Sequence, residues 1–195
     1  MILLRKMKPN RKKSFGLCAL TLCLSSLMSA SLPLLAVEKD TSSPEYMSYK
    51  VKSAYLYNFM RLVDWPADSF NKPDSPITTC ILGDDPFGST LDGIKKKTSQ
   101  GRLLSIVNLS EINEVTDNCQ LLFISSSEEP RFETIFSQTG TSPILTVGEL
   151  DGFIQQGGII EFVMEADKVR FKINLKRANQ AGMKINDRLL KIAMP

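Results

Sequence analysis

The 195-residue sequence has no histidine. That removes imidazole general acid–base catalysis, Ser-His-Asp and Cys-His triads, and most transition-metal sites. No internal repeat or low-complexity tract is present. The glycine-containing loops "GDDPFG" and "QQGG" match no phosphate-binding fingerprint. Excess positive charge is also absent where it would matter. The chain carries 24 Lys and Arg against 21 Asp and Glu, a formal +3. Residues 1–36 hold six of those cations (Arg5, Lys6, Lys8, Arg11, Lys12, Lys13) and no acid. The remainder therefore has 18 basic against 21 acidic residues, a net of −3. A mildly acidic body excludes nucleic acid as the expected partner.

The basic start runs into "SFGLCALTLCLSSLMSASLPLLA", residues 14–36. Basic residues, an apolar run and then small residues read as a secretory signal peptide, with cleavage after Ser31 or Ala36. The alternative is an uncleaved anchor. The interruptions at Ser25, Ser26, Ser29, Ser31 and Pro33 argue against it, so no stable membrane anchor is expected after cleavage. Neither Cys18 nor Cys23 follows the small residues that lipidation needs. The expected organisation is a signal peptide over residues 1–36, a flexible polar start over 37–45 and a single α/β domain over 46–195. The mature chain is therefore expected to be exported.

Only four cysteines occur, and Cys18 and Cys23 leave with the signal. The two that remain, Cys80 and Cys119, read as one disulfide in an exported protein, with two unpaired buried thiols as the alternative. Cys80 lies inside the first strand of the sheet and Cys119 just before the third. Those strands are neighbours in the common doubly wound order 2-1-3-4, and their spacing of about 4.8 Å suits a bridge.

Ser43 can cap a helix with Pro44 in its first position and Glu45 in its first turn. Val51, Tyr55, Phe59 and Leu62 recur at helical spacing, with Leu56, Met60 and Val63 widening the face. Pro66 disfavours helix at Trp65 and stops it there. The stretch "YLYNFMRLVDWP", residues 55–66, is thus a core helix rather than a cofactor-stacking box, although its aromatics also suit a protein interface. After residue 77 the pattern changes to strands, "ITTCILG", "RLLSIVNL", "QLLFIS" and "SPILTV", separated by helical or turn segments such as "SSEEPRFETIFSQTG". Such alternation predicts an α/β fold, a three-layer doubly wound and mostly parallel sheet. The uninterrupted apolar runs fit strands buried on both sides. "GGIIEFVMEADKVRFKINL" then predicts a C-terminal antiparallel hairpin turning at Glu165, Ala166 and Asp167. "KRANQAG" and "INDRLLKIAM" close the chain as short helices.

The paired acids Asp84 and Asp85 resemble the magnesium-holding acids of a response-regulator receiver. That chemistry also needs an aspartate where Ser125 stands and a lysine at the end of the fifth strand, and neither is present. Their expected role is to cap the following turn. Lys95, Lys96 and Lys97 read as a solvated helix end. No catalytic, cofactor-binding or metal-binding residues are expected, and the chain does not read as an enzyme.

The stretches "YLYNFMRLVDWP", "CILGDDPFG", "GRLLSIVNL", "CQLLFISSSEE", "ILTVGELDGFIQQGGIIEF" and "VRFKINLKRANQAGMKINDRLLKIA" occur in order. Together they resemble the YfiR family of exported bacterial proteins over residues 46–193. The resemblance implies a non-enzymatic regulator. It would bind the periplasmic domain of an inner-membrane diguanylate cyclase, repress it and lower cyclic-di-GMP, with consequences for biofilm. It also implies the Cys80–Cys119 bridge, which matches the family's cysteines. The competing reading is a periplasmic small-ligand-binding protein serving a transporter or sensor.

For such a regulator the sequence points to the C-terminal hairpin. Val169, Phe171, Ile173 and Leu175 alternate with Arg170, Lys172 and Asn174, and an edge strand can recruit other chains. The preceding strand is apolar on both faces. Phe162, Arg170 and Lys172 are therefore expected to contribute to a partner interface or a homodimer, unless Leu189, Leu190 and Ile192 cover that surface.

Overall fold

The protein is represented by a computed structural model that describes residues 42–115 and 118–195. The expected signal segment and the start of the polar stretch, through residue 41, lie outside the described residues. Helix α1 spans Pro44–Leu62, and its start follows the local chemistry. Ser43 is extended and accepts a hydrogen bond from the Tyr46 N–H at 3.1 Å, Pro44 needs no donor in the first turn, and Glu45 faces the positive end of the helix dipole. Pro44 and Glu45 are thus helical, as the capping pattern at Ser43 predicts, although the expected polar start was drawn to include them. The helix ends three residues before Trp65. Val63 turns extended because Val63–Asp64 (β1) pairs antiparallel with Lys184–Ile185 (β9). A long-range strand pair, rather than Pro66 alone, stops it.

The main sheet has seven strands: β2 (Ile77–Leu82), β3 (Thr98–Ser99), β4 (Arg102–Leu109), β5 (Leu121–Ile124), β6 (Leu145–Gly148), β7 (Ile160–Glu165) and β8 (Lys168–Ile173). They lie in the order β3-β4-β2-β5-β6-β7-β8. The five strands from β4 to β7 are parallel. In chain order that block runs 2-1-3-4-5, a doubly wound strand order. The short β3 is antiparallel at one margin, and β8 is antiparallel to β7 at the other. The fold is mixed α/β.

The central strands β2, β5 and β6 are buried throughout, and their side chains alternate between two apolar clusters. Ile81, Phe123 and Val147 join Leu56, Phe59 and Met60 of α1. Cys80, Leu82, Leu122 and Ile124 join Phe132 and Ile135 of α2 (Phe132–Thr139). This is the pattern of a sheet covered on both sides. Helices α3 (Leu175–Gln180) and α4 (Asp187–Leu190) send Ala178 and Leu189 into the α1 cluster. Between β2 and β3 the chain forms a single 3-10 turn at Gly88–Leu91 rather than a full helix.

Two local fits fix the rest. Gln120 is buried just before β5. Its side chain accepts from the Thr78 N–H at 2.9 Å and donates to the Ser69 carbonyl at 2.8 Å, while its own carbonyl accepts from Trp65 Nε1 at 3.0 Å. The stretch "GELDGFIQQGG" owes two of its four glycines, Gly148 and Gly158, to Phe153. That ring is fully buried, and a Cβ at Gly148 or Gly158 would overlap it. Among the described residues, no helix is long and apolar enough to cross a membrane.

Candidate partner-binding surface

The two cysteines are brought together. Cys80 in β2 and Cys119 before β5 form a disulfide with a Cα separation of 6.0 Å, buried in the α2 cluster. The bridge closes 39 residues, for which the chain-entropy model gives about 4 kcal/mol. Asp85 caps as expected: its Oδ1 accepts from the N–H groups of Phe87 at 2.8 Å and Gly88 at 3.3 Å. Lys95 pairs with Asp92 at 2.8 Å, and Lys97 lies 4.4 Å from the Tyr57 ring centroid. No cluster of three His, Cys, Asp or Glu side chains among the described residues could hold a metal ion.

The hairpin residues separate into three kinds. Phe162 is 2% exposed and sits in a ring cluster with Tyr55, Phe59 and Phe171, at centroid distances of 5.1–6.2 Å. It is a core residue and does not itself reach the surface. The cause is α1, which covers the apolar face of β7 and β8. Leu189 joins the same cluster, whereas Ile192 stays exposed. A fully buried phenylalanine contributes about 2–3 kcal/mol, against less than about 1 kcal/mol for an exposed ion pair. The rings therefore set where α1 lies. Lys172 is tied down: its Nζ is 3.6 Å from Oε1 of Glu161, which is 2% exposed and whose Oε2 accepts from the Ile154 N–H at 3.1 Å. Arg170 is the freer cation. Among the described residues its only ion pair, to Glu165, spans 3.8 Å with both side chains about half exposed.

The outer edge of β8 is not open along its length. The Met194 N–H donates to the Phe171 carbonyl at 2.8 Å, and the Tyr55 hydroxyl reaches the Val169 carbonyl at 3.5 Å. What the hairpin offers instead is a groove of about 530 Å³ between its tip and the first turns of α1. Met47, Val51 and Met164 line it and are 48%, 42% and 59% exposed. Asp167, Lys168 and Arg170 also line it. Exposed methionine and valine beside these charged side chains favour an adaptable apolar contact with a charged border. The turn that follows Met164 has two central residues in the left-handed region, Ala166 at φ 48° and Asp167 at φ 60°. That matches a type I′ hairpin turn. The groove joins residues far apart in sequence, and the alternation in the hairpin gave no signal for it.

A second feature beside the groove was not legible in the apolar stripe. The buried face of α1 runs through Lys52, Ser53, Leu56, Phe59 and Met60, one position round from the stripe through Val51 and Tyr55. Lys52 Nζ lies 2.5 Å from Glu149 Oε2, with both side chains nearly buried. The Tyr49 hydroxyl donates to Glu149 Oε1 at 2.9 Å. Burial, and next the Glu149 charge, push the Tyr49 phenol well above its ordinary pKa. A lysine spaced four residues before Leu56 was the available signal. Its partner, 97 residues away, was not.

Comparison with known proteins connects this architecture to a family. A search of characterised proteins returns no match. The model of the family described as YfiR/HmsC-like matches residues 49–194, the span that contains most of α1, the whole seven-stranded sheet and the disulfide. The protein therefore belongs to the YfiR/HmsC-like family.

Proposed function

We propose that this chain is an exported, non-enzymatic regulator. It binds the periplasmic domain of an inner-membrane diguanylate cyclase and holds it inactive, which lowers cyclic-di-GMP. Family membership over residues 49–194 is the observation that carries this reading. The contact surface is the groove between α1 and the hairpin tip, with Met164 and Val51 as apolar anchors and Arg170 meeting an acidic group of the cyclase domain. Phe162 supports the surface from beneath, and Lys172 acts by holding Glu161.

Deleting the gene should raise cellular cyclic-di-GMP, and restoring it on a plasmid should lower it again. Met164→Asp and Arg170→Glu should each abolish complementation while leaving the thermal midpoint nearly unchanged. Lys172→Glu is a poor test, because it would set two carboxylates together at the buried Glu161. If the deletion leaves cyclic-di-GMP unchanged, the regulator reading fails.

One observation favours the second reading, a periplasmic small-ligand-binding protein. At about 530 Å³ the groove lies within the roughly 300–1,000 Å³ common for ligand pockets. Loss of uptake or sensing in the deletion strain, without a change in cyclic-di-GMP, would support it.

A further inference from the structure

One charged face of α1 takes part in neither the core nor the groove. Helical residues three, four and seven positions apart share a face, so Lys50, Ala54, Tyr57 and Arg61 form one stripe, about 16 Å long. Lys50, Ala54 and Arg61 are exposed, and Tyr57 is half-buried. None of the four lines the groove beside Val51, and none belongs to the buried face that runs through Lys52 and Phe59. The turn before β3 adds a further cation. Lys97 Nζ lies 4.4 Å from the Tyr57 ring centroid, and the Arg61 guanidinium carbon lies 5.4 Å from the same centroid. Two cations thus share one ring, both within cation–π range.

The segment that carries Lys97 is held in place. Its N–H donates to the Ile94 carbonyl at 2.9 Å, and its carbonyl accepts from the Leu104 N–H at 3.0 Å. Ser99 Oγ donates to the Met60 carbonyl at 3.2 Å and Gln100 Nε2 to the Val63 carbonyl at 2.9 Å, which pins the segment to the end of α1. Lys96 beside it is exposed. Among the described residues, Lys50, Arg61, Lys96 and Lys97 have no ion pair, whereas Lys52, Lys95, Arg131, Arg170 and Lys172 each have one. Four cations without acidic partners thus accompany this helix, in a chain whose residues 37–195 carry a net of −3.

We infer that this stripe, Lys50, Tyr57, Arg61 and Lys97 with Lys96 beside them, is a contact site for the anionic surface of a phospholipid bilayer. The side chains select that partner. A protein interface is poor in lysine and built on a buried apolar centre. None of the large apolar side chains that are exposed belongs to this stripe. A headgroup layer needs only cations at the level of its phosphates, and it favours tyrosine, whose ring is apolar and whose hydroxyl stays wet. The long Lys and Arg stems carry their charges out to that level. Each cation raises partition onto an anionic surface about fivefold, so the contact is peripheral, reversible and weakened by salt rather than an anchor. Only its consequence rests on the regulator reading: it would concentrate the protein on the bilayer that holds the cyclase.

Co-sedimentation of the purified protein with vesicles tests this. One set is phosphatidylcholine alone, and the other is phosphatidylcholine and phosphatidylglycerol in equal parts. Binding to the mixed vesicles at low salt is expected, lost at high salt and absent with phosphatidylcholine alone. Arg61→Gln and Lys97→Gln, with unchanged thermal midpoints, should each weaken it about fivefold and together about twentyfold, whereas Lys176→Gln in α3 should change it by less than about twofold. Failure to bind the mixed vesicles overturns the inference, and is the result expected if the stripe instead meets an acidic protein. Equal binding to both vesicle sets overturns it as well. So does binding that survives the double substitution, or that Lys176→Gln weakens as much as Lys97→Gln does. None of these outcomes depends on whether the cyclase is the partner.

Discussion

On the α1 face of the sheet, Tyr55, Phe59, Phe162 and Phe171 pack in stacked and edge-to-face pairs, and a nearly buried Lys52–Glu149 pair ties the helix to the end of β6. On the α2 face a disulfide joins β2 to the start of β5, and Phe153 fills the space that Gly148 and Gly158 leave. The first face is held by contacts between elements distant in sequence, formed by packing and charge. The second is held by a covalent bond and by a steric fit inside one loop. A protein can thus close two sides of one sheet with separable interactions, one sensitive to redox conditions and the other to charge and pH.

The largest blow to the second face is removal of the bridge. Replacing Cys80 and Cys119 by alanine should cost about 4 kcal/mol in the chain-entropy model, read as a drop in the denaturation midpoint that matches the effect of reductant on the unaltered protein. If reductant leaves the midpoint alone, covalent closure is not what secures this face. For the first face the corresponding variant is Lys52→Met. It strands a buried carboxylate and should cost about 3 kcal/mol in urea unfolding. Adding Glu149→Leu should recover most of that loss. If Lys52→Met costs no more than an exposed substitution, the rings alone hold α1.

A smaller effect comes from overfilling the second face. Gly148→Ala drives a methyl into the Phe153 ring and should cost about 2 kcal/mol, because the ring can yield only into Phe132 and Phe136. The hairpin turn belongs to neither face and calibrates both. Ala166→Gly relieves a left-handed alanine and should raise stability by about 1 kcal/mol.

The last prediction concerns pH. The Tyr49 phenol has its folded pKa raised above the ordinary 10.0, so folding favours the protonated form. Its contribution is present in full below pH 10 and is lost progressively as pH rises beyond it. An alkaline fall in the midpoint that is blunted by Tyr49→Phe would place this sensitivity on the α1 face. Equal falls in both proteins would remove it from there.

These features were unequally legible in the sequence. The start of α1 was readable because Ser43, Pro44 and Glu45 act within one turn. The buried strands were readable because "LLFI" and "ILTV" leave no polar side. The two cysteines followed from export and an even count. The end of α1 was not readable, since it depends on Ile185 arriving from far along the chain. Phe162 was assigned to a surface for a related reason: periodicity tells which side of a strand is apolar, not what covers it. Lys52 broke the apolar pattern it belonged to, and only Glu149 makes its position intelligible. The groove has no sequence signature, because its two walls meet only in the fold.

The Cys80–Cys119 bridge has one more consequence, for topology. The covalent loop it closes contains β3 and β4 in full. Its two ends are fixed with their Cα atoms 6.0 Å apart. Were β4 to trade places with its counterpart in another molecule, both ends of the loop would have to remain behind in the parent. The strand could then cross only as a doubled-back lasso. Oxidation therefore turns an exchangeable edge strand into a captive one.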